Sequence, residues 1–390
     1  MKALAPLLGA LAVASWAYWV VAYVAVRRFF RRTEPVPPAL PPVSVLKPVR
    51  GLDAGAAETF ATFFRQDYPE LELVFGVEDG ADAAVAVVVR LRREFPRVPA
   101  RIVVSGARGP NRKASMLHAL AREARHDVLV ASDSDMRADP DYLRRTVGAL
   151  LAPGVGLVTC TYTGDAPVTL ASRLEALHMG VTFLPSAIVA HELLGMPFAM
   201  GATVAVRRAD LEAAGGFASV EGHLADDYQI GARVAALGRK VVIAPSVLRS
   251  ALGDVRLRDL WDREVRWSRC SRVSRPAGQL GYGVTFATPL AIALLAAGAG
   301  AAGWAILAAS LALRWAVAAG IARETGDRVA LASLPLLPVR DVLSAAVWGA
   351  ALFGRRVVWR GEVFRVGPDG LLRPGSRSPA RLEGVARGSR

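Results

Sequence analysis

The chain has 390 residues, a net charge of +14 and a pI of about 10.7, with 53% hydrophobic residues and a mean hydropathy of +0.32. That is apolar for a soluble protein, and a Lys and Arg excess of this kind is usual where cations collect on the cytoplasmic side of a membrane. No nucleic-acid motif or compact basic domain accompanies the charge, so no nucleic-acid partner is expected. Cys160 and Cys270 are the only cysteines, too few for a disulfide framework, and they fit a reducing compartment.

Residues Ala3 to Val26 are almost wholly apolar and long enough to span a bilayer, with Trp16, Tyr18, Trp19 and Tyr23 as interfacial aromatics. Arg27, Arg28, Arg31 and Arg32 follow, so the positive-inside rule places the next segment in the cytoplasm. The span is longer, and more heavily charged on its far side, than a cleaved signal would be. Pro35, Pro37, Pro38, Pro41 and Pro42 make a stiff linker.

Strand and helix patterns then alternate. Strands are expected at Val43–Val49, Leu71–Val77, Arg101–Val104, Val128–Ala131, Gly156–Tyr162, Ala199–Val206 and Val241–Ala244. Helices are expected around Glu58–Arg65, at Ala83–Glu94 and from Asn111 to about Ala124, and another begins with Asp139 as N-cap and Pro140 as its first residue. Such alternation predicts an α/β fold with a mostly parallel, doubly wound sheet. Beyond Gly281 two apolar stretches, Val284 to about Ala301 and Gly303 to Ile321, read as a transmembrane hairpin in which Arg314 snorkels or faces the protein. Val329–Gly354 is apolar but broken by Pro335, Pro338, Arg340 and Asp341, which suggests an interfacial or re-entrant piece. The tail from Arg355 carries nine Arg against three acids, which favours a cytoplasmic C-terminus.

The Val128–Ala131 strand runs into Ser132-Asp133-Ser134-Asp135. In extended chain Asp133 and Asp135 project to one side, at the carboxyl end where open α/β sheets bind ligands. Two hard oxygen ligands there suit Mg²⁺ or Mn²⁺ with sites left for phosphates, although such a pair also simply solvates many turns. Asp79 ends its own strand in the same way and is placed to meet a uracil or ribose, or to be an ordinary turn acid. Lys113, in Gly109-Pro110-Asn111-Arg112-Lys113, stands at a helix start where a diphosphate would bind, with Asn111 as a plain cap in the alternative. Asp226 and Asp227 precede a short apolar helix and offer a base for an acceptor hydroxyl. Arg263 and Trp267 share a helix face with Arg266 beside them; arginines neutralise a leaving diphosphate and an indole stacks on a sugar or base. Arg269, Arg272 and Arg275 continue the charge, which also suits a headgroup-binding helix.

In this order the pieces resemble one family. Asp79, Asp133-Ser134-Asp135, Asp226-Asp227-Tyr228 and Arg263-x-x-Arg266-Trp267 are similar to the D, DxD, (E/D)D and (Q/R)xxRW set of family-2-type GT-A glycosyltransferases. Gln66–Pro69, Gly109–Lys113 and Trp359–Gly361 resemble the ceramide glucosyltransferase branch, and Leu224–Tyr228 with Arg272–Pro276 its bacterial hopanoid-associated members. One departure is Met116, where the branch usually has Asn. The resemblance implies a GT-A fold, Asp79 on the nucleotide, Asp133 and Asp135 on metal and diphosphate, and Asp227 as base. Asp226 and Lys113 then stand beside the substrate, and Arg263, Arg266 and Trp267 hold the diphosphate and acceptor. It also implies a UDP-sugar donor, Mg²⁺ or Mn²⁺, and inverting transfer to a lipid: a hopanoid polyol with N-acetylglucosamine, or ceramide with glucose. A bacterial inner-membrane location follows. A processive synthase would want more spanning helices, and a non-enzymatic sugar-nucleotide binder would not need all four acidic stations. The expected division is an anchor over 1–33, the catalytic domain over 34–255, a basic interfacial helix over 256–281, a membrane region over 282–354 and a basic tail over 355–390.

Overall fold

A computed structural model describes residues 4–32, 37, 39–106, 109–359 and 362–375. Arg360, Gly361, Pro35, Pro38 and the last fifteen positions of the tail, 376–390, lie outside the described residues. The apolar runs form the centre of an eight-stranded sheet. Its strands are β1 (Val43–Pro48), β2 (Leu71–Val77), β3 (Ala100–Val104), β4 (Val128–Ala131), β5 (Met136–Arg137), β6 (Val155–Pro167), β7 (Val204–Arg207) and β8 (Lys240–Gly253), ordered β3-β2-β1-β4-β7-β6-β8-β5. All but β7 and β5 run the same way, so the sheet is mostly parallel. β1, β2 and β4 are buried along their whole length because helices cover both faces.

In chain order the helices are α1 (Ala5–Phe30), α2 (Ala56–Phe64), α3 (Ala83–Glu94), α4 (Arg112–Glu123), α5 (Tyr142–Leu150), α6 (Leu170–His178), α7 (Leu184–Glu192), α8 (Arg208–Ala213) and α9 (Asp226–Ala236). After them come α10 (Leu257–Ser274), α11 (Pro276–Gly281), α12 (Ala287–Ala296), α13 (Gly300–Glu324), α14 (Arg328–Ser333) and α15 (Leu337–Leu352). Phe60, Phe63, Phe64, Val88, Leu143 and Val147 pack one side of the sheet, and Leu117, Leu120, Leu211, Phe217 and Ile230 the other.

Three expectations need correction. The helix after the acidic pair begins at Tyr142, not Asp139, because Met136 and Arg137 pair with β8 and the Asp139 carboxylate is taken by Arg249 at 2.6 Å. The Ala199–Val206 strand shortens to β7 because Met200–Thr203 closes a turn, with Thr203 N–H donating to the Met200 carbonyl. The last strand runs on to Gly253: Pro245 and Ser246 bulge out where the register jumps from Cys160↔Ala244 to Thr161↔Val247. The segment expected to be a tail also carries structure. β9 (Arg356–Trp359), β10 (Glu362–Val366) and β11 (Leu372–Pro374) form an antiparallel sheet whose Val357, Phe364, Val366 and Leu372 bury against Leu224.

Among the described residues three helical segments are long and apolar enough to cross a membrane, Ala5–Phe30, Gly300–Glu324 and Arg328–Leu352; a fourth counts if the bent pair Pro276–Thr285 and Ala287–Ala296 is one element. The break expected in the last segment is therefore sharper in the first arm of the hairpin, where the chain bends by 67° at Phe286. Arg328–Leu352 is held at both ends. Ala330 and Leu337 pack on Leu177 and Val181, and at the far end Arg269 and Arg272 of α10 donate to the carbonyls of Ala350, Ala351, Phe353 and Gly354. These two arginines cap a helix C-terminus, which suits the negative end of its dipole.

Charges inside the apolar helices are paired. Arg314, 1% exposed, bonds Asp341 through two nitrogens at 3.0 and 3.1 Å and lies 3.6 Å over the Trp19 ring; it faces the protein. The neighbouring Arg340 makes a two-pronged pair with Glu264 of α10 at 2.6 and 2.8 Å, and both side chains are buried. Breaking one partner of such a pair is expected to destabilise by about 3–5 kcal/mol. Arg340→Met should lower the unfolding temperature in detergent markedly, and Arg340→Met with Glu264→Leu should recover most of the loss. Equal stability of Arg340→Met and wild type would show that the pair does not hold α10.

Candidate active site

The strand ends and the α4, α9 and α10 helices surround one cavity of about 1650 Å³. Asp133 and Asp135 reach it because β4 stops at Ala131 and the chain turns at once, with Met136 N–H donating to the Asp133 carbonyl. Ser134, between them, donates to Asp53 at 2.7 Å, and both border the same cavity. Asp135 accepts from Ser250 at 2.6 Å, and burial, reinforced by Asp133 and Asp53, raises its carboxyl above the ordinary range.

Two lysines answer this acidity. Lys113 sits 2.5 Å from Asp133. Burial alone would push its ammonium down, but Asp133, Asp226 and Asp227 together raise it. Lys47, at the end of β1, is fully buried beneath the acids; its ammonium donates to the Asp133 carbonyl at 2.5 Å and stands 3.8 Å from the Phe63 ring. Burial pushes it down to about 7 despite the pull of Asp135, Asp133 and Asp53. Sequence reasoning missed Lys47. The available signal was a cation inside an otherwise apolar strand, which needs a partner when buried.

Asn111 joins two of the expected stations. Its carbonyl caps α4 through Ala114 N–H at 3.0 Å, and its amide donates to the His223 carbonyl and to Asp226 at 3.1 Å. Asp226 is thereby held, and both acids lie in the first turn of α9 rather than ahead of it. Asp227 accepts from its own helix, at Tyr228 N–H, and lines the cavity. Burial, then the Asp226 charge, pushes its carboxyl up to about 6, with Lys113 pulling back.

Arg263, Arg266 and Trp267 all line the same cavity. Arg263 is anchored by the Glu175 carboxylate of α6 at 2.8 Å, and Arg266 lies 5.4 Å over Trp359. Glu175 is wholly buried, its second oxygen has no partner among the described residues, and burial pushes it up to about 7. Nothing in the sequence marked it. Asp79 is the one expected site residue that the fold leaves out of the cavity wall: it lies two residues past β2, is exposed, and accepts from Ala81 N–H, while Glu78 lines the cavity instead. Arg275, expected to extend a basic face, donates to the Tyr228 hydroxyl.

A mostly parallel sheet with paired carboxylates at its strand ends, and basic side chains from a membrane-proximal helix over them, defines a GT-A glycosyltransferase. The sequence model of glycosyl transferase family 21 matches residues 7–372, and the chain belongs to that family. Among curated relatives, a ceramide glucosyltransferase 3 of Caenorhabditis elegans is 27% identical over 59% of this chain and 50% of its own length. A ceramide glucosyltransferase of Komagataella phaffii is 33% identical over 34% of this chain and 29% of its own. The chain thus spans about half, or less, of these relatives' length. A mannosyltransferase of Pyrobaculum calidifontis, solved with GDP-mannose and Mn²⁺, shares the fold at a TM-score of 0.51 and 22% identity, covering 89% of this chain and 99% of that one.

Removing the Asn111 amide leaves the α4 cap, the His223 carbonyl and Asp226 without their partner. Asn111→Ala is expected to cost about 2 kcal/mol, read as a lower unfolding midpoint in detergent; an unchanged midpoint would mean that the link between α4 and α9 is not structural.

Proposed function

We propose that the protein transfers one sugar, glucose or N-acetylglucosamine, from a UDP-sugar to a hydroxyl of a membrane lipid with inversion. One observation carries this reading: the cavity holding Asp133, Asp135 and Asp227 is continuous with a wall of Tyr18, Phe183, Ala187, Tyr282 and Trp348 beside the apolar helices. A polar donor and an apolar acceptor thus have access to the same acids. The curated relatives bear the name ceramide glucosyltransferase, which supports a lipid acceptor; ceramide and a hopanoid polyol are the two acceptors to test.

Asp227 acts as base. A carboxyl held near 6 is still ionised at neutral pH and is basic enough to take a proton from an acceptor hydroxyl as it attacks. The attacking oxygen forms its bond to the anomeric carbon while the bond to the diphosphate breaks on the opposite face. Lys113, Arg263 and Arg266 stabilise the charge on departing UDP, and Trp267 offers a stacking face. Among the described residues no cluster of three or more His, Cys, Asp or Glu stands ready for a metal. Two neighbouring carboxylates on one cavity wall, Asp135 raised by burial and then by the Asp133 charge, nevertheless fit Mg²⁺ or Mn²⁺ held partly by substrate phosphates. When bound through Asp133 and Asp135, such an ion would neutralise diphosphate charge. The catalytic domain faces the cytoplasm in this reading, supported by Arg27, Arg28, Arg31 and Arg32 at the domain end of α1.

The direct test incubates the purified protein with UDP-glucose or UDP-N-acetylglucosamine and ceramide or a hopanoid polyol, and weighs the lipids. A gain of one hexose or N-acetylhexosamine is expected; UDP release without any lipid mass gain would overturn the acceptor assignment.

Asp135→Asn should weaken Mn²⁺ binding in the presence of UDP by at least tenfold in a spin-resonance titration, with thermal stability equal to or above wild type because crowded charge is relieved. Wild-type Mn²⁺ affinity would sink the metal assignment.

Asp227→Asn should slow transfer by roughly 10²–10⁴-fold while UDP still binds. In the wild type the rate should fall as pH drops through about 6, since protonated Asp227 cannot accept a proton. An Asp227→Asn enzyme with a normal rate would place the base elsewhere.

A further inference from the structure

The β9–β11 sheet touches several parts of the site at once. β9 and β10 pair from Arg356↔Arg365 to Trp359↔Glu362, and β11 leads back to the strip before the acidic pair. There Leu224 N–H donates to the Gly370 carbonyl at 3.0 Å, and Leu372 N–H to the Gly222 carbonyl at 2.8 Å. Cys270 and Val273 of α10 pack on the apolar face of the sheet, and Arg269 donates to the Arg356 carbonyl. Glu362 accepts from Arg112 of α4 at 2.6 Å. These ties fix the end of the hairpin, where Trp359 borders the cavity beside Glu362.

Arg266 is held differently from its neighbours on α10. Arg263 has the Glu175 carboxylate, Arg269 and Arg272 have main-chain carbonyls, and Arg275, just past the helix, has Tyr228 Oη. No hydrogen bond or ion pair reaches Arg266 among the described residues, and its guanidinium lies 5.4 Å from the centre of the Trp359 ring. A ring face attracts a cation without occupying its N–H donors, whereas a carboxylate would use those donors and cancel the charge. Arg266 thus keeps its charge and its donors for an anion that enters the cavity.

We propose that Trp359 is the positioning residue for Arg266. The β9–β11 sheet carries the indole to α10, and the indole holds the guanidinium in place without competing with a diphosphate for it. The inference rests on the reading that Arg266 stabilises departing UDP, and Trp359 acts in it only through Arg266.

The test uses the full chain in detergent with Mn²⁺ and reads the ratio of the UDP Kd to the uridine Kd by titration calorimetry. Uridine lacks both phosphates, so a general loosening of the site moves the two constants together, and displacement of an arginine from the diphosphate moves only the first. Trp359→Leu is expected to raise the ratio roughly tenfold, and Trp359→Phe, which keeps a ring face, by less than about threefold. Arg266→Ala should raise it at least as much as Trp359→Leu. Adding Trp359→Leu to Arg266→Ala should raise it no further, because the indole acts through the guanidinium. An unchanged ratio in Trp359→Leu, equal effects of the Leu and Phe variants, or a double variant that adds both effects would overturn the inference. So would a Trp359→Leu protein that does not fold, since the indole would then be a support of the sheet alone. Arg266→Ala with a wild-type ratio would overturn it together with the diphosphate role of Arg266. A wild type that makes no glycolipid yet shows the expected ratios would sink the acceptor reading and support the Trp359 assignment.

Discussion

Like charge forced into one small space is the constraint on which the site depends. Asp53, Asp133, Asp135, Asp226 and Asp227 all border one cavity, drawn there by strand ends and helix starts that the sheet brings together. Carboxylates so placed repel one another, and burial raises Asp135 and Asp227 above their ordinary range. The protein offsets this with Lys113 at the rim and Lys47 beneath the floor, and with Asn111 on Asp226. Arg263 and Arg266 add further positive charge to the same cavity wall.

Those basic side chains come from α10, and their placement is a matter of membrane architecture. α10 is tied on one side to the catalytic domain by Arg263 and Glu175 and on the other to α15 by Glu264 and Arg340. The next residue, Asp341, holds Arg314 of α13, which stacks on Trp19 of α1. Adjacent residues of one helix thus connect the arginine-bearing helix to the apolar bundle. Ion pairs in such surroundings are weak sources of net stability but strict about geometry, because either partner left alone is costly. In the proposed reaction that strictness fixes where Arg266 and Trp267 meet the substrate.

In the proposed reaction the same cavity answers a solubility problem. A sugar nucleotide and a lipid prefer different media, and the cavity wall changes character from aspartates and arginines to Phe183, Ala187, Val347 and Trp348 without a break. α1 takes part in this wall through Tyr18, whose hydroxyl lies 2.9 Å from that of Ser186 in α7. The N-terminal helix, which in sequence is only an anchor, is in the structure a part of the cavity.

Short apolar runs and period-3.6 patterns were enough to place β1, β2, β4, α3 and α4 within a residue or so, because these elements are buried on both faces or capped by their own residues. The ordered acidic and basic stations, and with them the family, were equally legible, because they are local strings of residue types. What the sequence could not determine was anything set by contacts between distant segments. The Pro245 bulge that lengthens β8 and the β9–β11 sheet depend on partners far along the chain. So do the turning of Asp79 into its own loop and the pairing of Glu175 with Arg263. Lys47 and Glu175 illustrate the physical reason: a lysine and a glutamate have no role as letters, and acquire one only when the tertiary structure buries an ammonium under carboxylates or sets a buried carboxylate against Arg263.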